Sequence, residues 1–203
     1  MDARSQYRQN IRRQRSQLSH QKRKQCAQEL ANRLLHSQIF RNSRRIAAYL
    51  PVQGELDPSL IIKTAWEQRK KIYLPVLTPF NDNKLWFVRY EPGTRMLNNR
   101  FGIPEPVVKH RQRLSARSLD LVLMPLVGFD HQGHRLGMGG GFYDRSFAFL
   151  LNRKHLKKPR LIGLAYDFQE IPRLTPENWD VPLDAIATPS RHFPQFRRDT
   201  LIK

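Results

Sequence analysis

The sequence predicts an α/β chain, a single-domain three-layer sandwich in which a mostly parallel sheet lies between helices. Three observations predict it. Short apolar runs suited to buried strands recur at 46–52, 72–77, 85–90, 119–127, 161–166 and 185–188. Helical patterns alternate with several of these runs. The first two runs are separated by one helical stretch, so strand, helix and strand follow within about 30 residues, which makes a βαβ unit and a parallel pair.

Taken in order, residues 4–15 are expected to form a helix. Arg4, Arg8, Arg12 and Arg15 fall at spacings of four, four and three, which puts them on one face. Ser19 offers a side-chain cap for a second helix, in which Cys26, Leu30 and Leu34 repeat as an apolar stripe. The run 46–52 (IAAYLPV) reads as a buried strand. Asp57 then caps a helix with Pro58 at its first position, and 60–69 continues it with Ile61, Ile62, Ala65 and Trp66 on one side. Strands over 72–77 and 85–90 follow. Residues 91–118, rich in Pro, Gly and charge, are expected to be mainly loop. The run 119–127 (LDLVLMPLV) is the most convincing buried strand. A glycine-rich loop at 133–141 opens a helix over 142–153, and strands at 161–166 and 185–188 complete the sheet.

Composition bounds the rest. A chain of 203 residues with 39% hydrophobic residues holds enough apolar material for one sizeable core. The net charge is +19, and residues 1–45 carry +10 of it, with only Asp2 and Glu29 opposing twelve Lys and Arg. A field of that sign attracts anions such as nucleotides, polycarboxylates or RNA. Cys26 is the only cysteine, which excludes an intramolecular disulfide and a cysteine-built zinc site. No apolar stretch of about 18 residues exists to span a membrane. Cytoplasmic location is the default.

The most informative stretch is RLGMGGGFYDR, 135–145. It follows a buried strand and opens a helix. Gly137, Gly139, Gly140 and Gly141 leave backbone N–H groups uncovered, and such a loop at a helix N-terminus can wrap around phosphate oxygens. Arg135 adds a charge-assisted donor. The pattern is neither a Walker A loop, since no Gly-Lys-Ser/Thr ends it, nor a dinucleotide fingerprint, since roughly ten residues separate strand from glycines. His131 and His134 have a metal-like spacing, but no third ligand is evident and a solvated turn is the plainer reading. By residues alone, a nucleic-acid-binding protein and a kinase acting on some other acceptor stay open as alternatives.

PLVGFDHQGHRLGMGGGFYDRSF (125–147) resembles the signature of the 5-formyltetrahydrofolate cyclo-ligase family. YLPVQGELD (49–57), KIYLPVL (71–77), FGIPEP (101–106), LIGLAYDFQ (161–169) and WDVPLDAIATPS (179–190) also match, in the family's order. The resemblance runs from about residue 4 to 191. It implies one α/β domain over 1–203, with residues 1–18 as a basic helix of the ATP site. It also implies that ATP, with Mg2+, phosphorylates the N5-formyl oxygen of the folate, after which N10 attacks the activated carbon and phosphate leaves.

The resemblance further implies site residues. Arg4 and Arg8 would contact ATP, whereas Arg12 and Arg15 are expected to stay on the surface. Arg135, Leu136, Gly137, Met138, Gly139, Gly140, Gly141, Phe142 and Tyr143 would hold the triphosphate. Leu50, Glu55 and Phe101, with the glycine loop and Tyr143, would contact the folate. Arg135, Arg145 and Tyr143 would serve the chemistry, and Asp144 and Asp184 would hold Mg2+. A carboxylate such as Glu55 suits the N–H and amino donors of a pterin. Two positions depart from the family pattern: Met138 stands where some relatives carry a basic residue, and Phe142 where a Tyr is common. The expected partner is a small folate substrate, with no nucleic acid, no membrane and a monomeric chain.

Overall fold

The computed structural model describes residues 3–79, 82–107, 113–151 and 158–191. The first helix, α1, spans Ala3–Gln17. Ser19 caps α2, His20–Leu35, by accepting from the Lys22 N–H, and the stripe of Cys26, Leu30 and Leu34 is buried as the spacing predicts. A short helix, α3 (Gln38–Asn42), leads into strand β1 (Arg45–Ala47). The Asp57 carboxylate accepts from the Ser59 N–H at the start of α4 (Ser59–Glu67). Strands β2 (Lys71–Leu77) and β3 (Leu85–Tyr90) follow.

The stretch 91–118 is more ordered than its composition suggests. It forms a two-stranded unit, β4 (Met96–Asn98) with β5 (Pro104–Pro106), and a short strand β6 (Arg113–Leu114). The Glu105 carboxylate accepts from Leu77 N–H and from Asn99, which pins this hairpin to the end of β2. Beyond it come β7 (Leu121–Pro125), the hairpin β8 (Gly128–Phe129) with β9 (Arg135–Leu136), and α5 (Phe142–Phe147). The helix expected to reach 153 ends at Phe147 and tightens into a 3-10 turn over Ala148–Leu150, which buries Leu150 beside Phe147. Residues 152 and 153 of that expected helix lie outside the described residues. Strands β10 (Arg160–Leu164) and β11 (Ala185–Ala187) finish the chain's sheet.

Seven strands form the central sheet in the order β11-β10-β7-β1-β2-β3-β6. The five from β11 to β2 are mutually parallel, and β3 and β6 add an antiparallel edge. Alternate residues of the parallel strands face opposite layers. Ile46, Leu121, Leu123 and Ile162 pack with α2 and α4, whereas Ala47, Val122, Met124 and Ile186 pack with Phe147 and Leu150. That is the predicted three-layer sandwich. The run 46–52 yields only two strand residues, Ile46 and Ala47, because the chain leaves the sheet after Ala47. Tyr49 then turns its hydroxyl to the Leu56 carbonyl and closes a loop.

Candidate active site

The parallel strands read β2-β1-β7-β10-β11, so the chain departs from β1 to one side and later returns on the other. The loops after β1 and β7 therefore diverge at the carboxyl end of the sheet and leave a crevice, where open α/β sheets hold ligands. The β1 loop carries Leu50 and Glu55. The β7 loop carries the hairpin and the glycines.

The hairpin explains the spacing that set this loop apart from a dinucleotide fingerprint. Buried Asp130 accepts N–H bonds from Gln132, His134 and Leu174, and it bonds the His134 ring. His134 is thus an element of a turn, as the plainer reading had it. The turn launches β9, which delivers Arg135 and then 137–141. Gly139 at φ +105° and Gly141 at φ +64° adopt backbone that L side chains rarely take, and Gly141 sits at the N-terminus of α5. A Cβ at Gly137 or Gly139 would meet nothing, so the backbone stands open there, whereas a Cβ at Gly140 or Gly141 would press on Phe142 or Arg145.

Helix α1 docks on this loop. Ile11 is its single buried apolar side chain, packed with Val127, Leu136, Ile171 and Leu174. Its arginine face then reaches three loops in turn. Arg4 bonds the Thr175 carbonyl and pairs with Asp180 at 3.3 Å. Arg8 Nε donates to the Gly137 carbonyl at 2.9 Å. Arg12, exposed along its length, lies 3.5 Å from Met138 Sδ. Arg15 is fully buried, with Glu55 Oε1 at 3.9 Å from its Nη1. The expectation that Arg12 and Arg15 both stay on the surface therefore fails for Arg15. The turn at Gly54 packs on the last turn of α1 and covers it.

Glu55 is itself buried, and its Oε2 accepts from the Val52 N–H. Burial pushes its carboxyl above the ordinary range, against the Val52 N–H bond and the Arg15 charge. The Tyr143 phenol senses both this carboxylate and Arg135. Burial raises its phenol strongly, the Glu55 charge adds to the rise, and Arg135 opposes it. Tyr143 also stacks on Phe147, while Phe142 meets the exposed Phe101 edge-on with ring centroids 6.0 Å apart. Arg145 donates to the Gly140 carbonyl at 2.8 Å. Leu50 is half-buried in the loop between Tyr49 and Glu55.

Asp144 and Asp184 are not brought together. Asp144, in the first turn of α5, pairs with Arg135 and accepts from the Val181 N–H. Asp184 is fully buried at the start of β11, where it bonds Arg160 at 2.9 Å and the Leu161 N–H at 2.7 Å, toward the amino end of the sheet. The carboxylate on the Asp144 side is Asp180, next to Val181 and paired with Arg4. Sequence reasoning passed over it. The available signal was its place beside Trp179 in WDVPLD, within a matching motif.

Arginines, uncovered amides, a buried carboxylate and aromatic rings thus meet at one crevice, an arrangement suited to a phosphorylated cofactor beside a planar, hydrogen-bonding substrate. The sequence model of the 5-formyltetrahydrofolate cyclo-ligase family matches residues 1–189. A 5-formyltetrahydrofolate cyclo-ligase of Haemophilus influenzae is 41% identical over 180 residues, covering 89% of this chain and 94% of the relative. One of Escherichia coli is 39% identical over 181 residues, covering 89% and 97%. The solution structure of the Aquifex aeolicus 5,10-methenyltetrahydrofolate synthetase superposes with a TM-score of 0.79 at 29% identity, covering 97% of this chain and 94% of that one. The Mycoplasma pneumoniae 5,10-methenyltetrahydrofolate synthetase shares the fold at a TM-score of 0.70 and 23% identity, covering 93% of this chain and 99% of that one. The chain therefore belongs to the 5-formyltetrahydrofolate cyclo-ligase family and is an enzyme of that family.

Proposed function

We propose that this chain closes 5-formyltetrahydrofolate to 5,10-methenyltetrahydrofolate in the crevice between the Glu55 loop and the glycine loop, with ATP as co-substrate and Mg2+ as its metal. The observation that carries the reading is the Arg8–Gly137 hydrogen bond. It docks a basic helix onto uncovered backbone amides, so positive charge and N–H donors converge beside the buried Glu55 carboxylate.

The residues fit the two groups. A triphosphate suits the glycine loop 137–141, open at Gly137 and Gly139 and flanked by Arg4, Arg8, Arg135 and Arg145. Among the described residues there is no cluster of three or more His, Cys, Asp or Glu side chains. A Mg2+ that arrives with nucleotide needs only one or two carboxylates, with phosphate and water completing its shell. Asp144 and Asp180 supply that set, in place of the expected Asp184. When bound, the metal neutralises charge on the phosphate oxygens.

The formyl oxygen attacks the γ-phosphorus and ADP leaves. N10 then attacks the formyl carbon, the carbon–oxygen bond to the phosphate breaks, and N10 loses its proton as the ring closes. Positioning and fixed charge are what the chain must provide for such a transfer. Glu55 accepts from the pterin N–H groups, with Leu50, Phe101 and Tyr143 around the ring system. Arg135 and Arg145 face the transferred group, Arg135 exchanging its Asp144 partner for phosphate. The catalytic unit spans 1–203 as a cytoplasmic monomer, without nucleic acid or membrane partners, and no described helix is long and apolar enough to cross a membrane.

One cuvette tests the reading. With ATP, Mg2+ and 5-formyltetrahydrofolate, the near-ultraviolet absorbance of the methenyl product is expected to rise. ATP consumption on another acceptor without that signal points instead to a kinase. RNA retention that falls steeply with salt, without folate chemistry, points to a nucleic-acid binder.

A further inference from the structure

Arg15 is the buried charge that the fold itself does not explain. Partly buried Lys70 shows how backbone can saturate such a charge. Its Nζ donates to the Phe40, Arg41 and Ser43 carbonyls. Arg15 makes no such bond. Its Nε, Nη1 and Nη2 have no hydrogen-bond partner among the described residues, although the side chain is fully buried. Among the described residues its ion-pair partner is Glu55. A guanidinium held out of water with open donors is costly, and a staple for the end of α1 would have used nearby carbonyls. The Arg15 carbonyl itself is taken by Arg23, so the helix end is capped without the Arg15 side chain.

We propose that Arg15 is a positioning residue of the folate site: its buried guanidinium fixes the Glu55 carboxylate in its charged form and orientation, ready to accept the N–H donors of the pterin. The inference rests on the proposed folate reading of Glu55 and deepens it. The geometry on both sides of the pair supports it. The Gln53–Gly54 turn, at φ +49° and +74°, lays Glu55 against the last turn of α1. One Glu55 oxygen goes to Val52 N–H and the other faces Arg15, so the carboxylate is held from two directions.

The groups around the pair would leave Arg15 as the cation nearest the carboxylate. Arg12 comes from α1, Arg23 and Cys26 from α2, Tyr49 and Asp57 from the β1 loop, Tyr143 and Arg135 from the glycine-loop side, and Tyr166 from beyond β10. Burial holds Tyr49, Tyr143 and Tyr166 as neutral phenols at neutral pH. Without Arg15, burial acts on Glu55 against the Val52 N–H bond alone, with no counter-charge.

The test is steady-state kinetics of methenyl formation by the full chain against pH. Arg15→Met is expected to raise KM for 5-formyltetrahydrofolate about tenfold or more, with KM for ATP unchanged. It is also expected to move the acid limb of kcat/KM to higher pH. Arg15→Lys, which keeps the charge, is expected to restore the limb and most of the affinity. Because Arg15→Met leaves a carboxylate buried without its counter-charge, the neutral pair Glu55→Gln/Arg15→Met is the second variant. It is expected to bind the folate within about twofold of Glu55→Gln alone, since Arg15 acts through Glu55. An unchanged KM and limb in Arg15→Met, or a further tenfold loss in the neutral pair, would overturn the proposal. A wild-type protein that forms no methenyl product would overturn the folate reading as well, which separates the two failures.

Discussion

Two ends of the same sheet use carboxylates in opposite ways. At the amino end, Asp120 accepts from Arg44 N–H, Arg45 N–H and Lys158, and Asp184 accepts from Leu161 N–H and Arg160. Their oxygens are taken up by strand starts and by cations that reach in from the rim. At the carboxyl end, Glu55 has one backbone bond and a cation at 3.9 Å, while Asp144 shares one oxygen between Arg135 and Val181 N–H. A carboxylate with its donors in place ties strands together, and one held loosely beside open donors is placed for a ligand. Saturation, more than burial, separates the strand-tying acids from those of the proposed site, since Glu55 and Asp184 are both buried.

Five substitutions sharpen or break that comparison. Asp144→Ala is expected to lower kcat/KM about a hundredfold or more, measured by methenyl absorbance, with little change in melting temperature. Asp184→Ala should do the reverse. It leaves Arg160 and the Leu161 N–H without a partner and is expected to cost about 2–3 kcal/mol in urea unfolding, while the folded fraction keeps its turnover. Equal loss of activity in both variants would erase the distinction between the two ends.

The pH dependence divides the same way. Burial raises the Asp120 carboxyl, but bonds from Lys158, Arg45 and Arg44 outweigh it and hold the group below its ordinary value. Its stabilisation is therefore present above the unfolded value of about 3.9 and fades as pH falls through the lower folded value. Asp120→Asn is expected to cost about 1 kcal/mol at neutral pH and to flatten part of the acid unfolding curve. Glu55 runs the other way. Its raised carboxyl protonates first as pH falls, so folate binding is expected to fail at a pH above the ordinary glutamate value of about 4.3. Glu55→Gln should remove that limb while leaving acid unfolding in place. The smallest effect belongs to Arg12→Ala. Its guanidinium is exposed and, among the described residues, its hydrogen-bond partner is the Met138 sulfur, so kcat/KM is expected to stay within about threefold.

Much of this was legible in the residues. The Ser19 cap, the stripe of Cys26, Leu30 and Leu34, the buried run 119–127 and the glycine loop all follow from short-range rules, because each depends on neighbours within a turn or two. The motif order from 49 to 190 then identified the family. The hairpin within 91–118 was missed, because Glu105 pins it to β2 from 28 residues away. Spacing placed Arg4, Arg8, Arg12 and Arg15 on one face of a helix, and the helix has that face. It left open that Arg12 would lie in water and Arg15 at the bottom of a crevice, three residues apart. Nor did composition distinguish Asp184 from Asp180, four residues apart in one motif. The periodicity of a chain fixes the direction of a side chain relative to its own backbone. How deep that side chain lies, and which charge it meets, is set by segments that arrive from elsewhere, and only the packed sheet and its diverging loops decided that.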